Sequence, residues 1–297
     1  MQTTLRAVTR QLANHYQSGL EYQSHQPLHG GDINQSFLLQ TRQGEYFFIK
    51  LNKASRLSMF EAESAALMAM QQTDTIRVPT PLLTGTVTPY AFLVLEFIEM
   101  SAATPASEAK LGHQLAAMHH VTATQFGWNR ANTIGTTPQH NTLTSSWATF
   151  WREQRIAPQL QRAAHRRGGD TLQLRGELLL SSIDKLLQAH HPAPSMLHGD
   201  LWGGNWSTTP DGKPLLYDPA LYYGDRETDL AMSELFGGFS SHFYQAYNEH
   251  YPLDEGYHRR KVCYNLYHIL NHFNLFGGVY GQQAEQMVDT LLHHNTP

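Results

Sequence analysis

Asp200, Asn205 and Asp218 are spaced as phosphoryl transfer requires. The first two lie in Leu197-His198-Gly199-Asp200-Leu201-Trp202-Gly203-Gly204-Asn205, and the third closes the apolar run Leu215-Leu216-Tyr217 ahead of Pro219. Asp200 is placed to orient a substrate hydroxyl and take its proton, while Asn205 and Asp218 offer the hard oxygen atoms that hold magnesium against nucleotide phosphates. An isolated His-Gly-Asp is common, and Asp beside Gly or Pro is more often a turn than a base. The full conjunction is much rarer and reads as a kinase catalytic loop. On this reading the pKa of Asp200 can stay low, because a loose transition state depends on positioning and charge stabilisation.

A nucleotide-binding half is expected upstream. Phe37-Leu38-Leu39 and Tyr46-Phe47-Phe48-Ile49-Lys50, joined by the turn-like Thr41-Arg42-Gln43-Gly44, read as a hairpin. Gly30 and Gly31 precede it, and their backbone freedom suits a loop whose amides face phosphates, although two adjacent glycines before a strand are most often only a turn. Lys50 ends an aromatic-rich strand, an unusual place for a charge unless it faces an anion. The helical pattern Leu57 to Gln72 supplies its partner. Phe60, Leu67 and Met70 share a stripe that includes Glu63, whereas Glu61 points nearly opposite. A carboxylate on an apolar face needs a cation, so Lys50 and Glu63 are expected to pair. The apolar strand Tyr90 to Ile98 ends at a natural hinge, where backbone groups of Glu96, Phe97 and Ile98 would bind adenine.

Several further motifs, together with this order of elements, resemble the fructosamine kinase (ketosamine-3-kinase) family, a branch of the aminoglycoside and choline kinase-like fold. The carriers are Gly30-Gly31-Asp32-Ile33, Met59-Phe60-Glu61-Ala62-Glu63, Phe126-Gly127-Trp128, Trp147 to Arg155, the loop through Trp206, the segment Tyr217 to Phe239, and Tyr267 to Tyr280. The resemblance implies an α+β, protein kinase-like bilobal fold. Residues 1–98 would form a small antiparallel-sheet nucleotide-binding lobe with one helix, and residues 99–297 a larger, mainly helical catalytic and substrate-binding lobe. It also implies magnesium- and ATP-dependent phosphorylation of the sugar 3-hydroxyl of a small or protein-bound ketosamine. A phosphate leaves more readily than hydroxide, so the product would eliminate and release the free amine, a deglycation repair. Trp202 would wall the substrate pocket, with a buried core tryptophan as the plain alternative. His272, in Asn271-His272-Phe273-Asn274-Leu275, would contact substrate or serve structure. Asp229 would brace the catalytic loop and His198 would pack it.

Gly199 stands where protein kinases carry the arginine that couples this loop to a phosphorylated segment, and only five residues separate Asp218 from Gly224. An enzyme active as translated is expected. The 297 residues suit two lobes, and 41% hydrophobic with 15% charged residues describes a globular protein. No apolar run is long enough to span a membrane, and the start lacks a signal-like stretch, so a cytoplasmic location is expected. A formal charge of -4 argues against nucleic acid as a partner. Cys263, the only cysteine, reads as a core thiol, and Asp32 in the glycine-rich loop leaves no thiol there to oxidise. Eighteen histidines raise the idea of a metal-dependent hydrolase using His119, His120, His190, His191 or His198 near Asp200, but no closed ligand set has the right spacing. Two further readings stay open: a catalytically silent kinase-fold binding module, and an aminoglycoside- or choline-type kinase.

Overall fold

The computed structural model describes residues 1–29, 33–166 and 170–293, and the chain divides into two compact units. The first comprises Met1–Ala103 with Ser207–Tyr217. Strands β1 (Tyr22–Leu28), β2 (Gln35–Thr41), β3 (Tyr46–Lys53), β4 (Pro81–Val87) and β5 (Tyr90–Glu96) form an antiparallel sheet in the order β1-β2-β3-β5-β4. Alternation along β3 and β5 gives the sheet two different faces. Ile49, Leu51, Phe92 and Val94 join Leu5, Val8 and Leu12 of helix α1 (Gln2–His15) in one core. Lys50 and its cross-strand neighbour Leu93 alternate to the other face, the side of helix α2 (Leu57–Gln71), where Phe60, Leu67 and Met70 are fully buried.

Helix α1 adds a second helix to the one expected in this unit. Its apolar positions stand three and four apart, but polar residues outnumber them, and only the sheet beneath makes them a core stripe. Ser207–Tyr217 is also an unexpected member. Ser101 N–H donates to Thr208 O at 2.7 Å and Leu216 N–H to Arg77 O at 3.0 Å, which ties the segment to this unit.

The second unit comprises Thr104–Trp206 and Asp218–Pro297. Its helix α3 (Pro105–His119) begins at a reciprocal cap between Thr104 and Ser107. The hairpin β6 (Asn132–Ile134) and β7 (Thr137–Gln139) precedes α4 (Trp147–Phe150), which runs through a π-helical stretch, Trp151–Ile156, into α5 (Ala157–Ala164). Helix α6 (Asp170–Leu187) leads to β8 (Ser195–Leu197). The ribbon β9 (Trp206–Thr208) and β10 (Pro214–Leu216), all but its first residue in the first unit, comes next in the chain, then β11 (Tyr222–Gly224), which pairs antiparallel with β8. Four helices finish the chain: α7 (Glu227–Leu235), α8 (Ser241–His250), α9 (Tyr257–Phe276) and α10 (Val279–His293).

Helices α3 and α8 approach closely at Gly112, where a Cβ would come within 2.3 Å of Phe243 O. The aromatic segment Trp147–Trp151 packs against Tyr264 and Tyr267 of α9, whose interior residues are almost all buried. No helix among the described residues is long and apolar enough to cross a membrane.

His119, His190, His198 and His268 are buried. Burial first, then the nearby His272, pushes His268 down to about 3, with Arg155 acting the same way and Asp229 opposing. A buried histidine that stays neutral stabilises nothing above the unfolded value near 6.5. Below it the unfolded chain takes up a proton that the folded chain refuses, so stability falls as pH drops from about 6.5 towards 3. Each such group removes roughly 1.4 kcal/mol per pH unit within that window. Denaturant unfolding of wild type and His268→Gln at neutral pH and at two lower values checks this: the variant should lose stability less steeply, and equal slopes would contradict it.

Candidate active site

Strand β8 delivers the loop His198-Gly199-Asp200 directly from its last residue, and β11 fixes the level of that strand by pairing Tyr222 with Leu197. Gly199 takes φ +82°, and a Cβ there would meet Ala220 O at 2.2 Å, so this position requires glycine both for conformation and for room. Ala220 N–H donates to His198 O at 2.9 Å, which joins the loop to the segment after Asp218.

The loop amides converge on one carboxylate. His198 N–H donates to Asp229 Oδ2 at 2.7 Å and Gly199 N–H to Asp229 Oδ1 at 2.9 Å. Asp229 sits in the first turn of α7 and is 1% exposed. His119 Nε2 lies 3.2 Å from Asp229 Oδ2, and His119 Nδ1 lies 2.8 Å from the Tyr247 hydroxyl, which in turn takes a bond from Arg226 at 3.3 Å. Burial lowers the pKa of His119, against the raising influence of Asp229, and so favours a neutral ring. With that tautomer, Arg226 donates to Tyr247, Tyr247 to His119 and His119 to Asp229, and each donor finds one acceptor. Burial alone would raise the Asp229 carboxyl, but His119 and the loop amides outweigh it and hold it below the usual carboxylate range.

Asn205 is buried, and its Nδ2 donates to Asp200 O at 2.9 Å and to Asp200 Oδ2 at 3.1 Å. The amide nitrogen faces the loop, so the amide oxygen is the atom with metal-ligand character. Asp218 is exposed and takes a left-handed backbone, φ +58°. A carboxylate and an amide oxygen are donors that suit Mg2+. Asp200 departs from the low pKa first expected. Desolvation pushes it up to about 7, with Asp218 and Asp229 adding to the rise and the Asn205 hydrogen bond opposing it. A carboxyl poised there is matched to proton transfer near neutral pH.

Two glycine-containing segments, at Gly203 and at Gly238, cross here. A Cβ on Gly238 would lie 2.5 Å from Gly203 Cα, and one on Gly203 would lie 2.9 Å from Gly238 Cα. Trp206 stacks on Phe239 at 5.7 Å and its indole N–H donates to Gly238 O at 3.3 Å, closing the crossing from the side. Trp202 lies over Gly204 and is 41% exposed, which removes the core-tryptophan alternative. His272 is half-buried among the rings of Phe236, Phe276 and Tyr280, and its Nδ1 donates to His268 O at 2.8 Å. Its neighbours Asn271 and Asn274 both bond Gln159. Those asparagines therefore serve α5–α9 packing.

In the first unit, Lys50 Nζ lies 2.6 Å from Glu63 Oε1, with side chains 4% and 11% exposed. Glu61 is exposed on the same helix. The side chain of Glu96 is engaged by Arg77 and by Thr80 N–H, and its own backbone N–H donates to Thr80 O at 2.9 Å. Phe97 is exposed and Ile98 half-buried. Gly30, Gly31 and Asp32 lie outside the described residues.

Three of the histidines considered as metal ligands, His119, His190 and His198, are engaged elsewhere. His190 Nε2 lies 2.7 Å from Asp225 Oδ2, while both oxygens of the neighbouring Glu227 accept from Arg260 at 2.7 Å. Tyr264 also donates to Asp225, so the cluster is a satisfied ion-pair network. His198 Nδ1 accepts from Asp200 N–H at 3.3 Å. Sequence reasoning missed the His119–Tyr247–Arg226 chain, since its members lie on three elements with no shared spacing.

Compared with known proteins, the chain matches the fructosamine kinase family over residues 4–294. It is 46% identical over 271 residues to a probable ketoamine kinase of Synechocystis sp. (strain ATCC 27184 / PCC 6803 / Kazusa), covering 91% of this chain and 90% of that one. It is 40% identical over 266 residues to the chloroplastic protein-ribulosamine 3-kinase of Arabidopsis thaliana, covering 89% and 81%. The crystal structure of a candidate fructosamine-3-kinase from Haemophilus somnus 129PT superposes with a TM-score of 0.89 at 31% identity, over 98% of this chain and 99% of that one. The fold is thus the kinase-like fold that the sequence resemblance implied.

Replacing Asp229 by Asn keeps the shape but turns an amide N–H towards backbone donors. Charge-assisted hydrogen bonds of this kind contribute about 1.5–3 kcal/mol each. Asp229→Asn should therefore lower stability by about 2–4 kcal/mol and turnover at least a hundredfold. Denaturant unfolding and initial rates at saturating substrate check this, and wild-type turnover in the variant would contradict the brace.

Proposed function

We propose that this chain, which belongs to the fructosamine kinase family, is an ATP-dependent kinase that transfers the γ-phosphate to the sugar 3-hydroxyl of a ketosamine. Asp200 orients that hydroxyl and receives its proton as the bond from sugar oxygen to phosphorus forms and the γ-phosphate leaves ADP. Lys50, held by Glu63, grips the nucleotide phosphates; Gly30 and Gly31 cover them; backbone groups from Glu96 to Ile98 receive adenine. Asn205 and Asp218 hold Mg2+, which when bound neutralises phosphate charge. Trp202 offers an exposed aromatic face to the sugar or its protonated amine, and His272 a ring nitrogen on the acceptor side.

The observation that carries this reading is the pair of backbone amides on Asp229. They hold Asp200 on a rigid turn while Asn205 bonds the Asp200 carboxylate, so the base is oriented before substrate arrives. The relatives named as ketoamine and ribulosamine kinases support the acceptor class. The chemistry gives the phosphate a consequence. Loss of a C1 proton towards the C2 carbonyl expels phosphate from C3, and hydrolysis of the resulting imine frees the amine. We place the activity in the cytoplasm, on small or protein-bound ketosamines, with neither nucleic acid nor membrane as a partner.

Coupled ATP-consumption assays with ribulosamines and fructosamines, set against choline and kanamycin, test the assignment. Turnover should be confined to ketosamines and fall at least a thousandfold in Asp200→Ala. Lys50→Met should raise KM for ATP and lower kcat. Turnover on choline or kanamycin alone would transfer the proposal to that acceptor class, and binding of ATP without turnover on any acceptor would leave a binding module.

A further inference from the structure

The hairpin β6–β7 carries no motif and no group that the proposed chemistry uses, yet its facing end residues, Asn132 and Gln139, reach the chain just after Asp218. Gln139 Nε2 donates to Ala220 O at 3.1 Å and Asn132 Nδ2 to Leu221 O at 2.8 Å, gripping two consecutive carbonyls. Gln139 Nε2 also donates to Asn132 Oδ1 at 2.9 Å, which makes the two amides one unit.

Behind them the network continues without a gap. Asn141 Nδ2 donates to Asn132 Oδ1 at 3.0 Å, Tyr267 hydroxyl to Gln139 Oε1 at 2.7 Å, and Arg155 Nη2 to Asn141 Oδ1 at 2.7 Å. Arg155 is fully buried on the π-helical stretch, with its guanidinium 4.0 Å from the Tyr222 ring centroid and 4.6 Å from that of Phe150. Its other bonds go to backbone oxygens, His140 O at 2.6 Å and Gln154 O at 3.0 Å. The buried cation takes the Asn141 oxygen, which turns the Asn141 N–H group to Asn132 Oδ1 and leaves Asn132 Nδ2 for the Leu221 carbonyl, so the cation sets the direction of these two amides, while the Tyr267 hydroxyl sets that of Gln139.

The gripped peptides are the ones that matter for Asp218. Only Pro219 separates that residue from Ala220, and proline fixes its own φ. Ala220 is at once bonded to His198 O, packed on Gly199 and held by Gln139. The left-handed φ of +58° at Asp218 is an unfavourable state for a residue other than glycine and persists only where its surroundings impose it. In regulated kinases the chain after the metal-binding aspartate is ordered by phosphorylation.

We propose that Asn132 and Gln139 are positioning residues, a carboxamide clip oriented by Arg155 that holds Asp218 in its left-handed conformation and so presets the carboxylate for Mg2+. The clip does constitutively what a phosphorylated segment does elsewhere. It rests on the assignment of Asp218 as a metal ligand in the proposed reaction.

Calorimetric titration with ADP, in EDTA and in excess Mg2+, tests the clip apart from turnover. Gln139→Met keeps side-chain volume and removes both donors and the acceptor. In wild type Mg2+ should tighten ADP binding. In the variant that gain should shrink at least tenfold, with binding in EDTA within twofold of wild type and the Mg2+ concentration for half-maximal rate raised to match. Tyr267→Phe, a milder change, should move the same quantities two- to fivefold in the same direction should Gln139→Met not fold. An unchanged Mg2+ gain in a folded variant, with only a lower Tm, would overturn the clip while leaving the kinase assignment intact. Absence of any Mg2+ gain in wild type would overturn both.

Discussion

One buried carboxylate sets the geometry of the catalytic loop. Asp229 is satisfied by two consecutive backbone amides and a neutral histidine ring. A negative charge in such a place is costly unless its lone pairs are used, and using them forces His198 and Gly199 into a turn whose amides point the same way. That turn needs a positive φ at Gly199. His119, Tyr247 and Arg226 extend the constraint into α3, α8 and the start of α7, so three helices fix the orientation of one base.

Close backbone approach supplies the second constraint. Gly199 against Ala220, and Gly203 against Gly238, bring three loop segments together without side chains between them. Flexible glycines cost conformational entropy, which here is offset by the rigid neighbours that each crossing engages: Pro219 after Asp218, the Trp206–Phe239 stack beside Gly238, and the amide network beneath Ala220. A loop built this way has little to gain from an added phosphate, in keeping with the short connection from Asp218 to Gly224.

Legibility in the sequence followed locality. Asp200, Asn205 and Asp218 were readable as candidates from their spacing, and Glu63 was separable from Glu61 because a step of two residues, about 200° around the helix, leads from the exposed face to the buried stripe. Trp202 was readable as a type, but its exposure depends on Gly204 lying beneath it. The raised pKa of Asp200 comes from burial, with Asp218 and the sequence-distant Asp229 adding to it, and no spacing rule reports it. No local pattern marks His119 as a brace or Asn132 and Gln139 as partners of the catalytic segment. Each acquires its role only from carbonyls or carboxylates that the fold brings from about a hundred residues away. The membership of Ser207–Tyr217 in the first unit likewise depends on contacts that no local pattern encodes.

If the loop braced by Asp229 delivers phosphate to one oxygen of a ketosamine, the product itself records it. The most direct measurement is phosphorus–proton correlation spectroscopy of the product formed from ATP and a ribulosamine. The predicted result is a single phosphorus coupled to the proton on C3, formed in step with ADP and decaying as free amine appears. Phosphorus on any other carbon, or inorganic phosphate formed with ADP while the ribulosamine stays intact, would contradict it.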